Sequence, residues 1–393
     1  MKVPLLDLRP QLAQLRSEII ESVTNVIDST RYIQGPEVEA LEQEVAQYSS
    51  THFGIGVSSG TDALLVSLMS LGIGKGDQVL TTPYSFFATM GVVLRVGAVP
   101  VFADIDPVSY NIDPEQIEKI LQEDREKKIK AIIPVHLYGQ CADMERILAI
   151  AEKYKLPVIE DAAQAIGAEV PVSVLPSTGW AKAGSLGLAG CFSFFPSKNL
   201  GGIGDGGMVV SQDTDFVERT RLLRNHGAYP KYYHALVGGN FRLDPIQATV
   251  LRIKLKHLES WHKLRMKNAL FYDDCFQSSS LIRNGFASPP KAVYREKAEE
   301  QGESRNYHIY NQYIIRVKKR DELRDWLSSK DIGTEIYYPL ALHQQECING
   351  IDQPAQLPHA EQAAEETLAL PIYPELTTNM QEYVVQSIKE FYG

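Results

Sequence analysis

The stretch CFSFFPSKNLGGIGDGG, residues 191–207, sets one lysine, Lys198, between an aromatic-rich run and a glycine-rich turn. Apolar surroundings disfavour the ammonium form and lower its pKa, which is how a lysine becomes a nucleophile able to form a Schiff base. The plainer alternative is a surface lysine whose stem covers the aromatics. In VIEDAAQAIG, residues 158–167, Asp161 closes an apolar run. An aspartate there caps a following helix; against a nitrogen heterocycle, the same carboxylate keeps the ring protonated and electron-accepting. Gln164, one helical turn on, reaches the same ligand or else stands exposed on a helix. In GVSSGTDALLVSL, residues 56–68, small residues run straight into a helix pattern. Such a start offers backbone N–H groups and hydroxyls to a phosphate, or is a plain Ser/Thr cap. In TTPYSFFATM, residues 81–90, Phe86 follows a strand-ending turn and suits stacking on a flat ring, with Phe87 assigned to the core.

The elements that must position these residues show in the hydrophobic pattern. Strand-like runs at 77–83, 98–105, 130–139, 156–163, 191–195 and 206–211 alternate with helix-like segments such as 61–71 and 143–155. This alternation predicts an α/β domain with a mainly parallel sheet covered by helices, its ligands at the carboxyl ends of the strands. From about 251 the texture changes. Residues 251–276 predict one long amphipathic helix, 294–306 a charged loop, 308–317 a half-buried strand and 320–330 a helix. The expected division is an N-terminal helix and arm (1–30), a large domain (31–250) and a smaller α+β domain (251–393).

Composition narrows the function class. With 39 Lys+Arg against 49 Asp+Glu the formal charge is −10, which argues against a nucleic-acid partner. Hydrophobic residues make up 44% and charged ones 22%, enough apolar surface for packed cores. Cys141, Cys191, Cys275 and Cys347 form no CxxC pair and are expected as reduced, buried thiols. No metal ligand set, signal peptide or membrane span is expected, which places the chain in the cytoplasm. The 56–68 stretch resembles neither GxxxxGK[ST] nor GxGxxG with a distal acid, and no long helix pattern follows the glycine run at 201–207, which counts against an NAD-dependent oxidoreductase.

Taken together, SSGTDAL, TPYSFFAT, VHLYGQ, EDAAQAIGA, FSFFPSKNLGGIGDGG, RNHG, GGNFRLDPIQA, YYPLALHQQ and LALPIYPEL, in that order, resemble the sugar-nucleotide aminotransferase family of DegT/DnrJ/StrS type over nearly the whole chain. The resemblance implies the fold type I architecture of aspartate aminotransferase: a large domain with a mainly parallel sheet and a smaller C-terminal domain. It also implies pyridoxal 5'-phosphate cycling through pyridoxamine 5'-phosphate, and a homodimer with active sites at its interface. By this resemblance Lys198 matches the Schiff-base lysine, Asp161 the partner of the pyridine nitrogen and Gln164 the contact to the ring hydroxyl. Phe86 matches the stacking aromatic, while Ser193, Gly60 and Thr61 match the phosphate ligands. Asn240 matches the residue sent to the neighbouring subunit's phosphate, and His136 and His343 are expected to line the substrate site.

The implied reaction moves an amino group from an amino acid, by family analogy L-glutamate, to a nucleotide-linked ketosugar. The GxNxRLDxxQA form at 238–248 leans toward 3-keto substrates. The rival readings are a regulatory homologue that binds the cofactor without turnover and a pyridoxamine phosphate-dependent ketosugar dehydratase. Lys198 argues against the latter, because such dehydratases lack it. One departure is a longer link at 171–184, expected as an extended surface loop. A nucleotide sugar is a dianion, and residues 219–242 answer it locally. They hold Arg219, Arg221, Arg224, Lys231 and Arg242 interleaved with Tyr229, Tyr232 and Tyr233, and no acid. Lys231 and Arg242 are the chosen substrate contacts.

Overall fold

The computed structural model describes residues 1–173, 179–302, 304–351 and 356–393. In chain order its strands are β1 (Phe53–Val57), β2 (Gln78–Thr81), β3 (Val99–Phe102), β4 (Ile129–Ile133), β5 (Ile159–Asp161) and β6 (Glu169–Pro171). They continue with β7 (Trp180–Lys182), β8 (Ala189–Ser193), β9 (Gly207–Ser211), β10 (Ala287–Ser288), β11 (Tyr313–Val317) and β12 (Thr367–Leu370).

The strand runs expected between 77 and 211 all form, and β1 and the β6–β7 hairpin join them. β3, β2 and β4 pair in parallel, as do β5 and β8. Parallel bridges Ile132↔Val158 and Val135↔Asp161 carry the sheet from β4 to β5. β9 lies between β8 and β1 and runs antiparallel to both. The order is therefore β3-β2-β4-β5-β8-β9-β1, with every strand but β9 pointing the same way.

Both faces are buried, so neighbouring residues on a strand serve different cores. Ile132, Phe192 and Val210 pack with Leu15, Leu41, Ile147 and Leu251 on one side. Ile133, Cys191 and Val209 pack with Leu64, Leu68, Val92 and Phe216 on the other. This period of two explains why these strands read as continuous apolar runs.

The C-terminal residues build an antiparallel sheet, β10-β11-β12, over Tyr272, Leu323, Val384 and Ile388. The N-terminal helix Arg9–Ser29 forms as expected, and the arm before it bridges Val3 to Ile332. The long helix expected over 251–276 is two helices, Pro245–Leu255 and Leu258–Gln277. Leu251 of the first and Leu258 and Trp261 of the second face the large-sheet core, while Tyr272 and Phe276, further along the second, face the C-terminal one. The strand expected over 308–317 is shorter, because Ile309 N–H donates instead to Gly139 O at 2.9 Å.

Two expected loops contain regular structure. The 171–184 link starts and ends in the β6–β7 hairpin, which buries Trp180 against Ala298 and Tyr307, while residues 174–178 lie outside the described residues. The 294–306 segment carries a helix, Arg295–Glu300, and its residue 303 lies outside the described residues. Of the cysteines, Cys141 and Cys191 are buried as expected, Cys275 is partly buried and Cys347 is exposed.

Candidate functional site

The shared direction of the strands sets the candidate residues along one edge of the sheet. β5 ends at Asp161 and β8 at Ser193, β1 runs into Ser58–Gly60, and β2 into the turn that carries Phe86. This is the edge where open α/β sheets bind ligands.

Lys198 sits on a tight turn after β8, with its N–H donating to Phe195 O at 2.8 Å. Its amine is desolvated, which pulls the pKa down to about 8, and the nearby Asp161 carboxylate opposes the fall. Asp161 is buried, and burial raises its pKa. Four effects hold against that rise: Thr89 Oγ1 donates to Oδ2 at 2.8 Å, Ala163 N–H donates to Oδ1 at 3.2 Å, and Lys198 and His136 lie close by. A carboxylate has about four lone-pair sites, so two donors leave Asp161 capacity for another.

The adjacent Glu160 shows what a saturated carboxylate looks like. It accepts from Gly184 N, Leu186 N and Gly187 N at 2.6–2.8 Å and pairs with His136 Nε2 at 2.8 Å. Ala142 N–H donates to His136 Nδ1 at 3.1 Å, so the ring hydrogen sits on Nε2 and points at Glu160. His136 is wholly buried, with both nitrogens engaged. It braces the strand ends, and its ring has no free nitrogen to offer the substrate that the sequence expectation gave it.

Gly60 opens the helix Gly60–Ser70, which Ser59 caps by accepting from Asp62 N–H at 3.0 Å. The first N–H groups of a helix have no partner within it. A methyl on Gly60 would lie 2.6 Å from Ser193 Cβ, so only glycine lets the helix start against that serine. Gly60, Thr61 and Ser193 thus present N–H groups and hydroxyls in one small space. Gln164 is held by Tyr138 N–H, which donates to Oε1 at 2.7 Å, and its Nε2 donates to Tyr338 OH at 3.1 Å. The Tyr338 ring lies 6.2 Å from that of Phe86, a residue 57% exposed, so a flat ligand has an open face there. A cleft of about 500 Å³ opens beside Thr61 and Phe86, also walled by Phe87, Leu94, Arg95 and Cys347. Phe87 is 44% exposed, not core as expected. Burial and the Asp161 charge push the Tyr338 hydroxyl well up, so it stays protonated.

These positions fit pyridoxal phosphate: an anion cradle, an open aromatic face, a carboxylate with spare capacity and a desolvated amine. Thr89 and Tyr338 were not singled out from sequence. Their signal was their place inside TPYSFFAT and YYPLALHQQ.

Other expected contacts stand apart. Asn240 and Lys231 are exposed on the 226–242 segment, where Tyr229 and Tyr232 are both 79% exposed. Lys231 Nζ lies 5.0 Å from the Tyr232 ring centre. Arg242 is half-buried, donates to Asn225 Oδ1 at 2.7 Å and bridges to Val57, just before the Gly60 helix. Arg224 is buried and paired with Glu42, so it leaves the basic window for the core. His343 pairs with Glu361 at 2.9 Å, with its ring 6.4 Å from that of Phe102. These contacts hold His343 to the Glu361 helix and β3 and do not join it to Lys198 or Asp161.

Comparison with known proteins gives a consistent picture. The model of the DegT/DnrJ/EryC1/StrS aminotransferase family matches residues 13–389. A pleiotropic regulatory protein of Geobacillus stearothermophilus is 46% identical over all of this chain and 99% of its own. The UDP-N-acetyl-3-dehydro-alpha-D-glucosamine 3-aminotransferase of Acidithiobacillus ferrooxidans is 40% identical over 95% of this chain and 94% of its own. The crystal structure of S. venezuelae DesV in complex with a ketimine intermediate superposes with a TM-score of 0.88 and 36% identity, covering 99% of this chain and 98% of that one.

Proposed function

The chain belongs to the DegT/DnrJ/EryC1/StrS aminotransferase family, and from that premise we propose the finer assignment: transfer of an amino group from L-glutamate to a nucleotide-linked 3-ketosugar. The coarser statement stands by itself: the protein is a pyridoxal phosphate-dependent sugar-nucleotide aminotransferase. The observation that carries the reading is the meeting of a desolvated Lys198 with a buried, unsaturated Asp161 at the sheet's ligand edge. The 3-keto choice rests on the 238–248 segment and on the name of the Acidithiobacillus relative.

Bound pyridoxal phosphate supplies a carbonyl and an electron-accepting ring. Lys198 would hold it, and the Lys198 amine would move the proton at the donor's α-carbon. Asp161 pairs with the ring nitrogen and Gln164 with the ring hydroxyl. Gly60, Thr61 and Ser193 hold the phosphate, and Phe86 stacks on the ring. In a homodimer, Asn240 reaches the neighbour's phosphate, and Lys231 meets the substrate diphosphate. The division into 1–30, 31–250 and 251–393, and a cytoplasmic location, belong to the same proposal; the separate core under the C-terminal sheet supports the smaller domain.

A second reading, cofactor binding without turnover, is favoured by the name of the Geobacillus relative. One experiment separates the two. Protein purified with the cofactor is expected to absorb visible light, to bleach with L-glutamate, and to aminate a 3-keto nucleotide sugar detectable by mass. A visible band that L-glutamate leaves unchanged would sink the transaminase reading in favour of the regulatory one.

A further inference from the structure

The Lys198 turn is gripped from both sides by side chains that touch none of the expected ligands. On one side stands the helix Pro245–Leu255. Its Gln247 Oε1 accepts from Ile203 N–H at 2.8 Å, and its Lys254 Nζ donates to Gly201 O at 2.6 Å. These two residues, seven apart, share a face of that helix. The loop they hold is shaped to them. A methyl on Gly202 would lie 2.7 Å from Gln247 Oε1, and one on Gly204 would lie 2.8 Å from Gln247 Nε2. A methyl on Gly201 would collide with Pro196 O, so the chain doubles back directly around Lys198. On the other side, Asn199 donates to Ile309 O at 3.0 Å and accepts from Asn311 Nδ2 at 2.9 Å.

Lys254 is an unusual choice for a structural contact. It is 6% exposed, desolvation pulls its pKa down to about 8, and its hydrogen bond is to a neutral carbonyl. Burying a cation without an acid is costly. What that contact fixes is the position of Gly201 in the loop that follows Lys198.

We infer that Gln247 and Lys254 are positioning residues for Lys198, clamping the glycine loop so that its amine is aligned for proton transfer at the donor's α-carbon. This rests on the proposed role of Lys198. Misplacing a reacting group by about 1 Å costs about 10²-fold in rate, and the clamp acts at that scale. The same helix begins three residues after Arg242, so the segment that carries Asn240 and Arg242 and the lysine loop share one rigid support.

The test uses the full-length protein with Lys254→Met, Lys254→Arg, Gln247→Leu and Gly204→Ala, the last pushing on Gln247 from the loop side should the helix variants fail to fold. In the cofactor-free protein, Gln247→Leu is expected to speed hydrogen exchange at the Ile203 amide. In the loaded protein, the L-glutamate half-reaction is expected to slow by about tenfold to a hundredfold in Lys254→Met, Gln247→Leu and Gly204→Ala. KM for L-glutamate and cofactor affinity should hold, the isotope effect with α-deuterated L-glutamate should rise, and Lys254→Arg should recover part of the loss. The clamp is refuted if Ile203 exchanges faster while the half-reaction rate and isotope effect stay at the wild-type value. Lys198→Ala in the same assay keeps the two ideas apart: if it still turns over, the reading of Lys198 has failed, and if it is dead while the clamp variants are normal, the clamp alone has failed.

Discussion

The lysine turn and the 226–242 segment both looked functional in sequence, and the fold treats them in opposite ways. Asp161 is buried and Lys198 desolvated, and the groups around them are held by hydrogen bonds from Ala163, Thr89 and the Pro245–Leu255 helix. Tyr229, Lys231 and Tyr232 stand in solvent on a short turn closed by Tyr229 N–H to Tyr233 O at 2.9 Å, and the exposed Asn240 follows on a bridge to Asn225. On the proposed function, the first region, held by internal hydrogen bonds before any ligand arrives, is expected to set the rate of a chemical step, and the second, open to solvent, is expected to set affinity.

Mutations can break that contrast. Lys198→Ala should have the largest effect, a loss of turnover of about 10⁴-fold in a coupled assay. Asp161→Asn should follow, slowing the L-glutamate half-reaction by about 10²–10³-fold. The same change should leave the cofactor-free protein melting no lower at neutral pH. Burial raises the Asp161 pKa, so its contribution to stability is present at low pH and lost as pH rises through the folded value. Removing the charge removes that loss. On the exposed side, Lys231→Glu should raise KM for the nucleotide sugar by about tenfold, with kcat and the KM for L-glutamate unchanged, since one charge-assisted hydrogen bond is worth about 1.5–3 kcal/mol. A fall in kcat instead would mean the segment takes part in the chemistry. The smallest change is one of pH. Cofactor capture by the empty protein should quicken as pH rises through about 8, where the Lys198 amine becomes neutral, as stopped-flow absorbance would show.

Much of the enclosed site was legible because it is local. Strand ends follow from where apolar runs stop, so Asp161 falls on the ligand edge by pattern alone, whereas Ser193 and Gly60 were legible only through the family resemblance. The misreadings have a different origin. His136 looked like a ligand because nothing local shows that Glu160 and Ala142 occupy both its nitrogens. Arg224 looked like part of a basic surface because its partner, Glu42, is far away in the chain. The helix break near Lys256 was hidden because apolar spacing runs through it, with Leu251, Leu258 and Trp261 all packing in one core. Lys254 drew no notice, since a lysine in an amphipathic helix ordinarily faces water.

The sequence by itself determined the inventory of chemistry: a lysine after an aromatic strand, a carboxylate at a strand end, small residues at a helix start, and the strand–helix alternation that puts them on one edge. These are properties of side-chain type and hydrophobic period, which act over a few residues. Only the tertiary structure decided which of two adjacent carboxylates is free. Glu160 and Asp161 are alike in sequence, but successive residues of a strand face opposite ways. One therefore meets the 184–187 turn and His136 and is saturated, while the other meets Thr89 and Lys198 and keeps room for a ligand. Charge state, burial and spare hydrogen-bonding capacity depend on residues brought together from distant parts of the chain, and those turn a candidate residue into a working one.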